Sequence, residues 1–452
     1  MRLRRFSVSG YKNLRQPVVL DALGPINLIH GANNVGKSNL LQAMAMFFRC
    51  LLPGADGLPF NRGRAVSLSE VGDLVPDLRA LFHLEQPAPI VLNGVLDIPT
   101  AELAAAGIQE APPIVELDIE VTLQWNAVDA AATVHITRFR FGDGDDAAVG
   151  RDPGEEKSRP QRKVSDDTLR LAKFVARNVT VREGPAQRFS IVGVHRALED
   201  DKIQREKDVA SLAMEMYDCR ESTDRVRRDR WRAFVRAMAE FQDVTGDGAF
   251  EVTFPRSGLD ARLVFDTDKT RIPFQLLGSG VQQVAALLGH LLMRNASIVA
   301  IEEPELNLRW DLQNRLREVL GKLVEEPHGH GGLDQLFLTS HSPAFETDES
   351  FWLMEVGSDG PVVSRRPASE LPVVLGSAPL HLGLPERAPQ AYVTSQGVVR
   401  LPPHTIARLH VERGGGVVFL DAEPRGVRVL SNDDYLDELG MVDETPDTDA
   451  AP

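Results

Sequence analysis

Cysteine is almost missing from this chain. Its 452 residues include 2, Cys50 and Cys219, too few for a disulfide scaffold and without metal-ligand spacing. Long apolar runs are missing as well. No stretch is long enough to span a bilayer, and the N-terminus lacks the apolar core of a signal region. A cytoplasmic protein with no membrane partner is therefore expected. Basic charge is in deficit, with a formal net charge of −15. That argues against a generally basic nucleic-acid coat but leaves room for local patches. The acid gathers at the end, in Asp433-Asp434, Asp437-Glu438, Asp443-Glu444, Asp447 and Asp449. Residues 441–452 read as an acidic disordered tail. The length allows two or three domains.

Against these absences stands one complete motif. Gly31-Ala32-Asn33-Asn34-Val35-Gly36-Lys37-Ser38 matches the phosphate-cradling pattern G-x-x-x-x-G-K-[ST]. The apolar run Ile26-Asn27-Leu28-Ile29-His30 before it reads as a short strand. The segment from Asn39 to Phe48 after it carries apolar residues at helical spacing. Strand, glycine loop and helix suit the chemistry. Gly31 and Gly36 let successive N–H groups turn toward one anion, and the helix N-terminus adds partial positive charge. Lys37 is expected to reach the β/γ-phosphates, and the Ser38 hydroxyl to hold Mg²⁺. Residues Gly31 to Ser38, with Asn39 beside them, form the expected ATP-binding set. A chance match in a glycine-rich loop is the bland alternative, and the flanking strand and helix argue against it.

Farther on, the β-branched run Ala296-Ser297-Ile298-Val299-Ala300-Ile301 ends in Glu302-Glu303-Pro304-Glu305. Alternation along a strand gives neighbouring side chains opposite faces, so the two carboxylates need not share a task. Glu302 can bind the Mg²⁺ shell, directly or through water. Glu303 can polarise an attacking water. A solvated acidic turn is the alternative. Between these motifs, Leu276-Leu277-Gly278-Ser279-Gly280-Val281-Gln282-Gln283 opens a helix running to about Met293, with Ser279 and Gly280 at a second anion-receptive N-terminus. Last, Gln335-Leu336-Phe337-Leu338-Thr339-Ser340-His341-Ser342-Pro343 reads as a buried strand ending in an exposed histidine. His341 could hydrogen-bond a γ-phosphate or the attacking water.

In that order, these segments resemble the ATP-binding-cassette heads of the OLD, RecF and SMC ATPases, and most of all the OLD-like group of AAA-family ATPases. Met1 to Leu14 is similar to their first strand, with Tyr11-Lys12-Asn13-Leu14 at its end. Leu277 to Gln283 resembles their signature motif. Glu302 to Leu308 resembles their Walker B and D-loop, and Ser340-His341-Ser342-Pro343 their histidine switch. Gln86 and Gln124 are candidates for the Q-loop glutamine by position only. The resemblance implies an α/β fold, a P-loop NTPase of ABC-ATPase type with a helical insertion and a small C-terminal β domain. It implies a homodimer in which ATP on one head is completed by Ser279 and Gly280 of the other.

The expected organisation is a head built from 1–60 and 250–365, an inserted β and helical subdomain over 61–249, a linker over 366–391 and a small domain over 392–440. Within the insertion, 114–123 and 132–139 alternate with period two and suggest an antiparallel pair. Residues 143–163 read as an exposed loop, and 165–178 and 199–243 as helical. The second helical stretch carries Arg220, Arg225, Arg227, Arg228, Arg230, Arg232 and Arg236. These form either a DNA-backbone patch or a solvated face paired locally with Glu221, Asp224 and Asp229. The insertion is short and weakly heptad, and it has no C-x-x-C hook, which argues against an SMC protein or a zinc-hook ATPase. The segment 392–440 resembles an AbrB/MazE/SpoVT swapped-hairpin domain, with Gln396 where that family has Lys and Gly415 where it has Asp. No E-G pair with a D-x-D cluster follows His341, so no nuclease of the Toprim kind is expected here. A separate nuclease or toxin subunit would then be the effector. The expected function is an ATPase acting on DNA or on a DNA-acting partner, in repair or phage defence. The alternatives are an ATP-gated scaffold that does not hydrolyse, and a regulator binding DNA through its C-terminal domain.

Overall fold

The computed structural model describes residues 1–51, 64–71, 74–83, 88–105, 114–141, 170, 173–175, 189–193, 202–254, 261–293, 296–326, 332–342, 344–345, 350–371, 392–393, 399–400, 409, 417–422, 426–431 and 434. The chain forms two compact units, Met1–Ala368 and Ser369–Pro452. The strands described in the first are β1 (Arg2–Ser9), β2 (Val18–Leu20), β3 (Ile26–Gly31), β4 (Arg64–Val66), β5 (Ile90–Pro99), β6 (Ile114–Asn126), β7 (Ala131–Phe141), β8 (Phe189–Gly193), β9 (Ala249–Thr253), β10 (Arg262–Asp266), β11 (Arg271–Pro273), β12 (Ile298–Glu302), β13 (Gln335–Thr339), β14 (Ser350–Gly357) and β15 (Gly360–Pro367). Its helices are α1 (Lys37–Cys50), α2 (Leu68–Val71), α3 (Thr100–Ala105), α4 (Lys202–Glu221), α5 (Arg225–Ala239), α6 (Gln242–Thr245), α7 (Ser279–Met293) and α8 (Trp310–Glu325).

Two large sheets enclose α1. One is antiparallel, in the order β2-β1-β5-β6-β7-β4. The other runs β15-β14-β3-β13-β12-β8 and is parallel from β14 to β8. Its inner strands are mostly apolar, as strands covered on both faces tend to be, with Asn27, His30, Gln335 and Thr339 as buried polar exceptions. Every residue of β13 is buried. Helix α1 is buried nearly all round, which suits a helix between two sheets. Phe47 points to the antiparallel sheet, where Gly94 of β5 leaves room for its ring: a Cβ at Gly94 would meet Phe47 Cζ at 2.5 Å. Phe6 of β1 meets the same ring edge-on at 6.0 Å. Phe48 stacks on Phe189 of β8 at 5.4 Å, joining α1 to the parallel sheet. One hydrophobic core therefore runs through both sheets.

The strands of 90–141 do not form a sheet of their own. They pair with β1 and complete the sheet that the N-terminal segment begins. The expected pair is present as β6 and β7, with β6 three residues longer at its C-terminal end and β7 longer at both ends. The physical reason lies in β1, whose free edge needs a partner for its backbone groups and finds β5 from far along the chain. Strand β8 was not foreseen; its five residues are too short to carry a period. Residues 165–178 are described only at 170 and 173–175, which are helical. Of the stretch 199–243, the described residues from Lys202 on are mostly helical as expected but break at Ser222-Thr223-Asp224, where Asp224 caps α5 by accepting the Val226 N–H at 2.9 Å, and turn again at Glu240-Phe241. Helices α4, α5 and α7 pack together, beside the small antiparallel sheet β11-β10-β9.

Several arginines of that stretch are paired locally. Asp229 takes Arg232 at 3.0 Å and Arg225 at 3.6 Å, and Arg220 meets Glu221 at 2.8 Å. Arg228 donates to the carbonyls of Ser222 and Thr223, each at 2.7 Å. The second unit is described at two antiparallel pairs, β16 (Tyr392–Val393) with β17 (Val399–Arg400), and β18 (Val417–Ala422) with β19 (Gly426–Ser431). The expected linker over 366–391 is described only to Leu371, and there Arg366 and Pro367 end β15 and Ala368–Glu370 form a 3-10 turn, so the strand runs past the boundary read from the prolines. The rest of the linker, Gln396, Gly415, the short helix of the AbrB-like reading and the acidic tail lie outside the described residues, as does the loop 143–163.

Phe47→Ala should cost about 3–5 kcal/mol, because it empties the space between α1, Gly94 and Phe6. Chemical denaturation checks this. A midpoint within error of the parent would mean that α1 is not wedged as described.

Candidate phosphate-binding site

The loop begins where β3 runs out. Gly31 lies against the Met354 carbonyl of β14, and any Cβ there would collide with it. Gly36 has φ 111, and a Cβ on it would meet the Asn13 side chain at 2.8 Å. Only glycine suits both demands. Asn13 lines this bend: its Nδ2 donates to the Val35 carbonyl at 3.4 Å and its Oδ1 accepts from Asn39 at 2.8 Å. Ala32, Asn33, Asn34 and Ser38 are exposed, while Val35, Gly36 and Lys37 are buried. Helix α1 starts at Lys37 with no side-chain cap and no acidic residue in its first turn. Its leading N–H groups are thus open to an anion.

Lys37 folds over this loop. Its ammonium donates to the carbonyls of Gly31 at 2.8 Å and Ala32 at 2.9 Å. It lies 3.0 Å from His341 Nε2, which must accept, since lysine has only donors. Glu303 Oε1 stands 3.5 Å from the same nitrogen. Burial lowers the Lys37 pKa, and the carboxylates of Glu303 and Glu305 oppose that. Burial and the neighbouring Lys37 lower the His341 pKa, against Glu303. At neutral pH the imidazole is therefore neutral, with its Nε2 lone pair toward the loop.

The second carboxylate faces another cation. Glu302 ends β12, and its Oε1 is buried without a hydrogen-bond partner among the described residues. Glu302 acts on Lys12, whose pKa burial lowers and Glu302 raises. Lys12 has φ 48 and reaches the Leu74 carbonyl at 3.2 Å and the Gln42 side chain. Neither Lys12 nor Asn13 stood out in the sequence as a site residue. Their only signal was the segment Tyr11 to Leu14, which nothing local ties to the loop.

The structure thus brings Lys37, Glu303 and His341 together and leaves Ser279 and Gly280 apart. Ser279 is exposed at the first position of α7, and Gly280 packs against Leu312. Among the described residues no hydrogen bond or ion pair joins either to the loop. Gln124 is exposed on β6, and Gln86 lies outside the described residues. No cluster of three or more His, Cys, Asp or Glu forms a metal site among the described residues. The residues do fit ATP with Mg²⁺. The glycine bend, the uncapped helix start and Lys37 suit polyphosphate, and the orphaned Glu302 oxygen suits a hydrated cation.

A family match completes this picture. Residues 26–348 match the family described as "AAA domain, putative AbiEii toxin, Type IV TA system". The chain belongs to this AAA-domain family, and the described residues form a mixed α/β fold. Similar solved structures include an SMC head bound to the C-winged helix domain of ScpA, at 12% identity and TM-score 0.49, covering 82% of this chain and 99% of that one. Another is the SMC head domain from Thermotoga maritima, at 13% identity and TM-score 0.40, covering 81% and 99%. A third is the SMC head with an extended coiled coil bound to the C-terminal domain of ScpA derived from Pyrococcus furiosus, at 12% identity and TM-score 0.46, covering 83% and 98%. No curated protein matches significantly. No helix among the described residues is long and apolar enough to cross a membrane.

His30, one residue before the loop, gives the fold's stability a pH dependence. It is fully buried, and its Nδ1 bonds the Ser340 carbonyl at 2.6 Å. Burial lowers its pKa from 6.5 to about 4. Between those values the unfolded state binds the proton and the folded state does not, so stability falls as pH falls through that window. The expected loss is about 3 kcal/mol. His30→Asn keeps a donor for Ser340 and should remove that part of the slope. Equal slopes for parent and variant, from denaturation at neutral pH and at pH about 4, would refute this.

Proposed function

We propose that this protein hydrolyses ATP at sites shared between two copies of the chain, as a cytoplasmic homodimer acting on DNA or on a DNA-acting partner. The observation that carries the reading is the meeting of Lys37, Glu303 and His341, three groups from three separate strand ends, at the mouth of the phosphate loop. Lys37 exchanges the neutral carbonyls of Gly31 and Ala32 for anionic β/γ-oxygens. The N–H groups from Gly31 to Asn39 supply the rest of the cradle. Ser38 and Glu302 would hold Mg²⁺, which when bound screens the charge on the phosphate oxygens. Glu303 takes a proton from the attacking water as that oxygen bonds to phosphorus and the bond to ADP breaks. The neutral His341 orients the water or the γ-phosphate through Nε2.

The exposed Ser279 and the N-terminus of α7 complete the ATP site of the other copy. ATP then joins the heads and hydrolysis releases them. The DNA part of the reading draws on α5, whose length carries Arg225, Arg227, Arg228, Arg230, Arg232 and Arg236 with one acidic residue, Asp229, which pairs with Arg225 and Arg232 while Glu326 pairs with Arg236. In an acidic chain this is a local surplus of positive charge. A separate nuclease or toxin subunit would supply any effector activity, in repair or defence. A scaffold that binds ATP without turnover remains the competing reading, and a turnover assay with and without DNA separates the two.

Lys37→Ala should abolish tight ATP binding, read by calorimetry; unchanged affinity would remove the phosphate-loop assignment. Glu303→Gln should keep binding and trap the ATP-joined dimer, because the amide cannot take the proton. Turnover at the parent rate would reassign the carboxylates.

The shared site has its own test. A bulky residue at Ser279 should stop hydrolysis in the homodimer. Mixing that variant with Lys37→Ala should restore one intact site per heterodimer. No ATP stabilisation of a heterodimer shown to form would sink the shared-site model.

A further inference from the structure

The turn after β12 holds a buried carboxylate that the proposed chemistry leaves unused. Glu305 is 9% exposed, and its Oε1 accepts the His341 backbone N–H at 2.6 Å. Burial pushes its carboxyl above the usual range, and the His341 amide opposes this. A buried carboxylate is costly to keep, so packing alone does not explain it. Gln313 of α8 reinforces the same link. Its Nε2 donates to the Leu308 carbonyl at 2.8 Å, and its Oε1 accepts the Ser342 hydroxyl at 2.6 Å. Two side chains thus fasten two consecutive residues of the histidine loop to one turn.

That turn has further ties. Gln283 of α7, 1% exposed, donates to the Leu306 carbonyl. Glu303 donates its N–H to the Thr339 carbonyl at 2.9 Å. Glu303 and Asn307 are both left-handed, at φ 46 and φ 58, conformations kept only where contacts fix them.

We infer that Glu305 is a positioning residue, which sets the His341 imidazole against Lys37 and Glu303 and couples that arrangement, through residues 303–308, to the start of α7. The inference rests on the ATPase reading and names a further working part of it. Glu305→Ala removes the acceptor for the His341 amide. Glu305→Gln keeps an oxygen in its place. Glu305→Ala should lower kcat about tenfold or more with KM and nucleotide affinity little changed, and Glu305→Gln should recover most of the loss. A purely structural role would lower both parameters together and show no rescue. Full kcat in Glu305→Ala, or equal losses in both variants, would overturn the inference. Should Glu305→Ala fail to fold, Gln313→Leu carries the test with the same expected split. If the parent protein does not turn over ATP, the ATPase reading fails, and the positioning role is read from the His341 imidazole resonance instead. That resonance should move in Glu305→Ala and return in Glu305→Gln; an unmoved resonance rejects the role.

Discussion

The contact between Lys37 and His341 is the constraint on which the site depends. It joins residues 304 positions apart, and only the order of the parallel sheet permits it. Strands β3, β13 and β12 lie side by side and run the same way, so their C-terminal ends share one edge. The phosphate loop leaves the first, the histidine the second and the carboxylates the third. Open parallel sheets gather loops at that edge as a rule, and here each loop brings one charged or polar group to a partly dry place. A cation, a carboxylate and a neutral imidazole in mutual contact are cheap to hold only because each offsets the burial of another.

What keeps the edge in place is α1. A helix that carries Lys37 on its first residue transmits any tilt to the loop that the lysine folds over. Phe47 and Phe48 fasten it to two different sheets, through the gap at Gly94 and the stack on Phe189. The antiparallel sheet is therefore a brace for the loop and not an appendage. Asn13, just beyond β1, reaches the bend at Gly36 from that side. Deleting contacts at the far face of α1 should be felt at the loop for the same reason that core packing transmits strain.

Legibility followed the range of the forces involved. The loop from Gly31 to Ser38 could be read because its requirements are local: two glycines, a lysine, a helix start. His341 and Glu303 could be read as strand ends with unusual polar residues, but not their 3.5 Å separation, which belongs to the sheet order. Glu305 was legible only as a member of the Glu302-to-Leu308 resemblance and Gln313 not at all, since a buried side chain bonding a backbone amide 36 residues away leaves no pattern in sequence. Strand β8 was too short to show a period, and Lys12 became visible only through the pull of the Glu302 carboxylate on its ammonium. The arginines of α4 and α5 illustrate the reverse. Asp229 and Glu221 are close in sequence to the arginines they pair with, so that pairing was readable from spacing alone.

The adjacent carboxylates show how a small backbone departure separates two tasks. Strand alternation predicts Glu302 and Glu303 on opposite faces. Strand β12 stops at Glu302, and Glu303 turns the chain with φ 46. A non-glycine residue there costs about 1–2 kcal/mol, which its N–H bond to the Thr339 carbonyl helps to offset. The result is not simple alternation. Glu302 keeps the direction of the strand and acts on Lys12, while Glu303 is redirected toward Lys37 and His341. Two identical side chains, adjacent in the sequence, are thus set against different cations, which is how the proposed division between a metal-holding carboxylate and a base for water would arise. An unstrained residue at 303 would let the strand continue and carry its side chain away from the histidine, so the left-handed turn is part of the site's chemistry as well as of its fold.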